Sequence, residues 1–393
     1  MMRPVSKSLL ADPAASAPAP RPSSASLFAR VRTVALVTAW QVRAVLLPDG
    51  DVVEAGITGT GGWTSVRPVR AEPLPGRFVV PGLVDAHCHL SLGHDGQGEP
   101  VGLGVEAASA NLAAARAVGV TAVRDTGSPG SVTLRLVAGG DGSELLVCGR
   151  FLAPEGRYYP SLYEPVPAED LVAAALAEVA AGARWVKLVG DFQVMQGAYR
   201  PPTAPVPTYP IGDVRRLVDA VHAAGARVAA HSTTAHVKSL IDAGIDSVEH
   251  GTGLDEDDLA DLGARGGAWT PTLCAFTAAA PPADDPEQRE RYLRARERLG
   301  WLLPAAADLG VTIMTGSDVV GTVAREVALL AEFGLAPTAA LAAASTAARR
   351  FLGLAGLTDG QPVDLVTYHD DPRDDPEVLA RPAAVMVRGV RIR

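Results

Sequence analysis

The chain has 393 residues, 48% hydrophobic and 20% charged, with 44 acidic against 35 basic side chains and a formal net charge of −9. That is enough apolar sequence for a large core, and the negative balance argues against nucleic acid or an anionic membrane as the main partner. Three widely spaced cysteines (Cys88, Cys148, Cys274) make no disulfide framework and fit a reducing, cytoplasmic setting, and no run approaches the roughly 18 consecutive apolar residues of a membrane span.

Residues 1–25 are rich in Pro, Ala and Ser and lack the apolar segment of a secretory signal. They read as a disordered tail, or as a start codon assigned too early. Residues 26–80 carry short β-type runs, such as 41–47, punctuated by Gly and Pro. From Pro81 onward, apolar strands alternate with Ala/Leu-rich helical stretches. Eight strands are predicted, centred on 83–89, 122–125, 145–148, 185–189, 228–231, 247–250, 268–272 and 312–318. Helices are predicted over segments that include 106–117, 169–180, 213–223, 235–243, 254–265 and 287–309. This α/β pattern fits a (β/α)8 TIM barrel over 81–351 better than an open sheet. Short strands return over 352–393, at 362–368 and 384–389. With residues 26–80 they are expected to build a small composite β-sandwich domain.

The first predicted strand, Val80-Pro81-Gly82-Leu83-Val84-Asp85-Ala86-His87-Cys88-His89, ends in two histidines two residues apart. Side chains at that spacing share one strand face, so both imidazoles can reach one metal ion. Barrel active sites lie at the C-terminal ends of the strands. At those ends stand Lys187, His231, His250 in Ser247-Val248-Glu249-His250-Gly251-Thr252, and Asp318 in Gly316-Ser317-Asp318. Each has a plainer reading alone: a backbone hydrogen bond for His231, an ion pair of His250 with Glu249, a cap by Asp318 for a helix starting near Thr322, and an ammonium reaching solvent for Lys187. Taken together, four of the eight histidines stand at strand ends of one predicted barrel, which points to a metal centre. Imidazole and carboxylate ligands suit Zn²⁺ first, and Mn²⁺, Co²⁺ or Fe²⁺ less selectively. The chain has only three lysines, and an ammonium beside a dication is electrostatically wrong. Lys187 fits if burial keeps its amine neutral and it has reacted with carbon dioxide to give an anionic carbamate. His94, His222, His236 and His369 fall in helices or loops and are not expected as ligands; His236 alone stays open, because it follows His231 closely.

With these motifs the chain resembles the amidohydrolase superfamily over nearly its whole length after the tail. The Ser-Val-Glu-His-Gly-Thr segment and the following Thr270-Pro271-Thr272-Leu273 are similar to the imidazolonepropionase-like hydrolases and the metal-dependent Xaa-Pro or Xaa-Arg dipeptidases. The resemblance implies a binuclear centre: His87, His89 and Asp318 on one divalent ion, His231 and His250 on the other, with N-carboxylated Lys187 bridging them. It also implies cleavage of a C–N amide-type bond in a small-molecule substrate, such as an Xaa-Pro-like dipeptide or a cyclic amide, and it is compatible with a homo-oligomer. Relatives often carry a second His two residues after the ligand equivalent to His231, and a Ser-Gly-Gly loop after the lysine. Here Ser232-Thr233-Thr234 and Gly190-Asp191 stand instead, changes that bear on substrate more than on metal.

The expected chemistry is hydrolysis by a metal-activated hydroxide, with Asp318 as general base and then general acid. The 149–160 loop mixes arginines with paired aromatics. Arg150 or Arg157 is expected to hold a substrate carboxylate, and Tyr158 or Tyr159 to touch the scissile group. Two other readings compete: a mononuclear deaminase of a nucleobase-like heterocycle, which has no bridging lysine, and a non-catalytic amidohydrolase-like scaffold, which has lost ligands. Lys187 speaks against the first and the complete ligand set against the second.

Overall fold

The apolar runs become parallel strands lying side by side in chain order. The computed structural model describes residues 39–96, 99–139, 144–195, 203–280 and 285–393; the tail expected over 1–25 lies outside them. Leu83–Cys88, Val120–Asp125 and Glu144–Val147 form one parallel sheet. Phe151–Leu152, Trp185–Val189, Arg227–Ser232, Ser247–His250, Ala268–Thr270 and Thr312–Ile313 form a second. The two adjoin at residues 148–150, between the third predicted strand and Phe151–Leu152, which lies in the segment expected as a loop. Gly149 has φ +71° there, and a Cβ on it would lie 2.1 Å from Glu178 Oε2, so only glycine fits. Across the break, Cys148 N donates to Asp125 O at 3.0 Å and Ser128 N to Gly149 O at 2.9 Å. At the far end Ala86 N donates to Thr315 O and Asp318 N to His87 O, both at 2.8 Å, so the last segment returns to the first. The result is a curled sheet in a mixed α/β fold.

Helices connect these strands. Ile211–Ala223 shows why: Val214, Leu217, Val218 and Val221, spaced three and four apart, form its buried stripe. The predicted helices appear with ends shifted by a few residues, and Val323–Glu332, Pro337–Ala343 and Thr346–Leu352 join them. Thr322 caps Val323–Glu332, its hydroxyl accepting from Arg325 N at 3.2 Å. That leaves Asp318 free of the capping role.

Small side chains face one another inside the curl, where Val84, Ala86, Ala122, Ala268 and Met314 cluster. Arg124 is fully buried, its Cζ 4.5 Å from the Trp185 ring centroid. The chain's first and last described strands share an eight-stranded sheet. In it Leu365–Tyr368 pairs antiparallel with Phe78–Pro81, and Phe78–Pro81 runs parallel to Trp40–Leu46. Among the described residues no helix is long and apolar enough to cross a membrane, and Cys88, Cys148 and Cys274 are buried and unpaired.

Candidate metal centre

His87 is the last residue but one of the Leu83–Cys88 strand, His89 follows two residues later, and the bridge between Cys88 and Asp318 brings the last segment alongside. One ligand atom each from His87, His89 and Asp318 lies within 4.8 Å of the other two. His89 Nε2 is 3.7 Å from Asp318 Oδ1. The imidazoles continue as a chain: ring centroids are 5.3 Å apart for His89 and His87, 5.0 Å for His87 and His250, and 4.5 Å for His250 and His231. Lys187 lies buried in the middle of the Trp185–Val189 strand, and its Nζ has no hydrogen-bond partner.

Three of these rings are oriented through their Nδ1 atoms. His87 Nδ1 donates to Glu249 Oε2 at 2.6 Å, and His89 Nδ1 to the Gly127 carbonyl at 2.9 Å. His250 Nδ1 lies 2.6 Å from Thr272 Oγ1, which itself donates to the Pro271 carbonyl and so accepts from the imidazole. Each Nε2 is left with its lone pair, as in metal-ligating histidines. Burial holds His87 well below the usual imidazole range, lowers His89, and pushes His250 down to about 3. Burial also lowers the Lys187 amine.

The backbone is unusual at the same places. His250, Thr272 and Asp318 have φ of 68°, 48° and 55°, left-handed values rare for non-glycine residues and least expected of β-branched Thr272. The turn at His250 breaks strand alternation, so adjacent Glu249 and His250 both reach the His87 ring. Asp318 is steadied by its neighbour: Ser317 donates to Asp85 through its amide at 3.0 Å and its hydroxyl at 2.5 Å. Burial raises the Asp85 carboxyl to about 6.

Residues 78–392 match the Amidohydrolase family. The chain belongs to that family. It is therefore a hydrolase of the class that acts on carbon–nitrogen bonds. Uncharacterized proteins of Mycobacterium tuberculosis and Mycobacterium bovis are each 36% identical to it over 365 residues, 88% of this chain and 94% of theirs. Its fold is similar to that of a Xaa-Pro dipeptidase with bound methionine (TM-score 0.74, 21% identity, 90% of this chain and 99% of that one). A prolidase complexed with N-methylphosphonate-L-proline (0.71, 24%, 91% and 99%) is similar too. So is an ochratoxinase of A. niger (0.72, 19%, 91% and 96%).

The donor set of this amidohydrolase fits divalent cations. Neutral imidazoles with bare Nε2 atoms and a carboxylate converge beside an amine that is buried with nothing to bond. The residues of the 149–160 loop are placed differently. Arg150 Nε lies 3.1 Å from Glu178 and its Nη1 3.8 Å from Glu164. Arg157 Nη2 donates to the carbonyls of Phe192, Val206 and Pro207 at 3.2, 2.5 and 2.9 Å. These guanidiniums tie backbone and loops together. Tyr158 packs 4.8 Å from Phe151 and 5.1 Å from Phe192, and Tyr159 5.4 Å from Phe192. Phe151 in turn lies 5.4 Å from His89 and Phe192 5.8 Å from His231, so the tyrosines form the outer layer of an aromatic wall along the imidazoles. Of the histidines set aside, His222 pairs with Asp246 at 2.8 Å.

Sequence reasoning missed Glu249, Arg124, Gly127 and Thr272 as parts of the amidohydrolase site. A signal existed for Arg124, a charged residue inside the apolar Val120–Asp125 strand, which is the argument that singled out Lys187. Gly127, at φ +127°, would place a Cβ 2.5 Å from Phe151 Cε1. Gly127→Ala is expected to lower stability by about 1–3 kcal/mol, because Phe151 and the carbonyl under His89 are both displaced. A denaturation midpoint equal to that of the wild type would show that the wall accommodates the methyl group.

Proposed function

We propose that this amidohydrolase is a binuclear hydrolase of an amide-type C–N bond in a dipeptide, Xaa-Pro-like first, or in a cyclic amide. The curled sheet is read as a closed (β/α)8 barrel. The observation that carries the proposal is the Lys187 Nζ, buried and unpartnered among neutral imidazoles. A mononuclear deaminase has no use for it. The likeness to a Xaa-Pro dipeptidase and a prolidase supports dipeptides as the first substrates to try.

His87, His89 and Asp318 would hold one divalent cation, His231 and His250 a second, and Lys187 both. When bound, the cations supply Lewis acidity and lower the pKa of water to near neutrality. Lys187 contributes through its own chemistry: the neutral amine forms an N–C bond to carbon dioxide and releases a proton, which turns a neutral side chain into an anionic carbamate. Asp318 takes the proton of the attacking water and hands it to the leaving nitrogen. The hydrogen bonds of Ser317 to Asp85 set the segment that carries Asp318. The Phe151–Tyr158–Phe192 wall keeps bulk water from one side of the imidazoles and offers an apolar surface to the substrate.

Elemental analysis of protein expressed with zinc and bicarbonate tests the reading. About two metals per chain are expected, falling toward one in Lys187→Ala. One metal, unaffected by that substitution, favours the deaminase; none favours a scaffold.

A further inference from the structure

We infer that Asp191 is the positioning residue of the second metal half-site, a carboxylate clamp that sets His231 and ties it to the strands of Lys187 and His250. The inference rests on the binuclear reading. Asp191 lies two residues beyond the Lys187 strand and is fully buried. It accepts five donors, all from the three residues that follow His231. Ser232 Oγ donates at 2.5 Å, Thr233 N at 2.9 Å and Thr233 Oγ1 at 3.0 Å. Thr234 N and Oγ1 donate at 3.3 and 3.0 Å.

Its neighbours extend the grip. Gly190 N donates to the His231 carbonyl at 2.9 Å, and a Cβ at Gly190 would sit 2.4 Å from Leu240 Cδ1 and 2.8 Å from that carbonyl. On the other side Gly251 N donates to Ser232 O at 2.9 Å and Thr252 Oγ1 to Thr233 O at 3.1 Å, which joins the same loop to the residues after His250. Lys187, His231 and His250 therefore share one hydrogen-bonded frame centred on Asp191. His89 and Asp318 are steadied by other groups, Gly127 and the Asp85–Ser317 pair. His87, by contrast, is held by Glu249 next to His250; His89 and Asp318 thus have supports separate from Asp191, and that separation makes the inference testable. The Ser-Thr-Thr run after His231 is also the matching partner of Asp191: three hydroxyls supply the donors that a single buried carboxylate needs.

Asp191→Asn keeps the shape and replaces one acceptor oxygen with an amide donor that faces other donors. Calorimetric titration of metal-free protein with Zn²⁺, and the visible absorption of the Co²⁺ form, read the result, with circular dichroism as the check on folding. The second metal is expected to bind about 10- to 100-fold more weakly while the first is retained, as for removal of groups that orient metal ligands. Wild-type affinity for both metals and an unchanged Co²⁺ spectrum, even with a lower melting temperature, overturn the inference and leave the binuclear reading standing. If the wild type takes up one metal only, the binuclear reading fails and the inference, which needs a second half-site, falls with it; the metal count of the wild type tells that outcome from failure of the inference alone. Should Asp191→Asn not fold, the Ser232→Ala, Thr233→Val double variant removes two hydroxyl donors. It is expected to weaken the second metal about threefold or more, and unchanged affinity overturns the inference equally.

Discussion

Asp318→Asn is expected to abolish measurable turnover, a loss of about 10²–10⁴-fold in kcat, while most of the metal stays bound. The carboxamide keeps an oxygen to offer beside His87 and His89 but accepts no proton, so the transfer from water to the leaving nitrogen loses its carrier. Geometry lets the substitution isolate that role. The Asp318 amide is anchored to the His87 carbonyl at 2.8 Å, Ser317 is held by Asp85, and Thr322 caps the next helix without it. An asparagine is also among the residues best suited to a φ of 55°. The measurement is kcat on a dipeptide panel together with metal content per chain. Turnover equal to that of the wild type would remove Asp318 from the proton path, and loss of all metal would make it a ligand first.

Glu249→Gln is expected to have the largest effect on stability. Glu249 is fully buried and takes His87 Nδ1 at 2.6 Å, Arg124 Nη2 at 2.7 Å and Ser247 Oγ at 2.6 Å. An amide in its place leaves the Arg124 guanidinium buried without a counter-charge. Breaking a buried pair in this way costs about 3–5 kcal/mol. The same change loosens His87, and metal affinity should fall about 10- to 100-fold. Urea unfolding and metal titration read the two losses separately. Adding Arg124→Met removes the stranded cation, so the double variant should regain much of the stability and none of the metal affinity. A single variant as stable as the wild type would show that the pair is not what holds Arg124 inside the curl.

The strands and candidate ligand types of this amidohydrolase are legible in the sequence because they are properties of contiguous residues. Apolar runs at regular intervals specify buried strands. A His-x-His pair places two imidazoles on one face through the two-residue repeat of a strand, and a lysine in an apolar strand announces a buried amine. The helix starting near Thr322 is found there, capped by that side chain, whereas the ends of other helices shifted by a few residues, because capping depends on single side chains.

What the tertiary structure decided is which groups meet. Glu249 stands next to His250 in the chain, yet it bonds His87, 162 residues away. That pairing follows from the left-handed turn at His250 and from the register of strands far apart in sequence, neither of which any local propensity encodes. After the break at Gly149 the chain returns to a strand at Phe151–Leu152, inside the segment that reads as a loop. Arg150 and Arg157 look like carboxylate clamps by residue type, but a guanidinium bonds whatever acceptor packs against it, and here those are Glu178 and the carbonyls near Phe192. Composition and periodicity thus determined the frame and the chemical kind of each candidate ligand. Orientation, partner and protonation state were decided by long-range packing, because burial and hydrogen bonding act between residues that only the fold brings together.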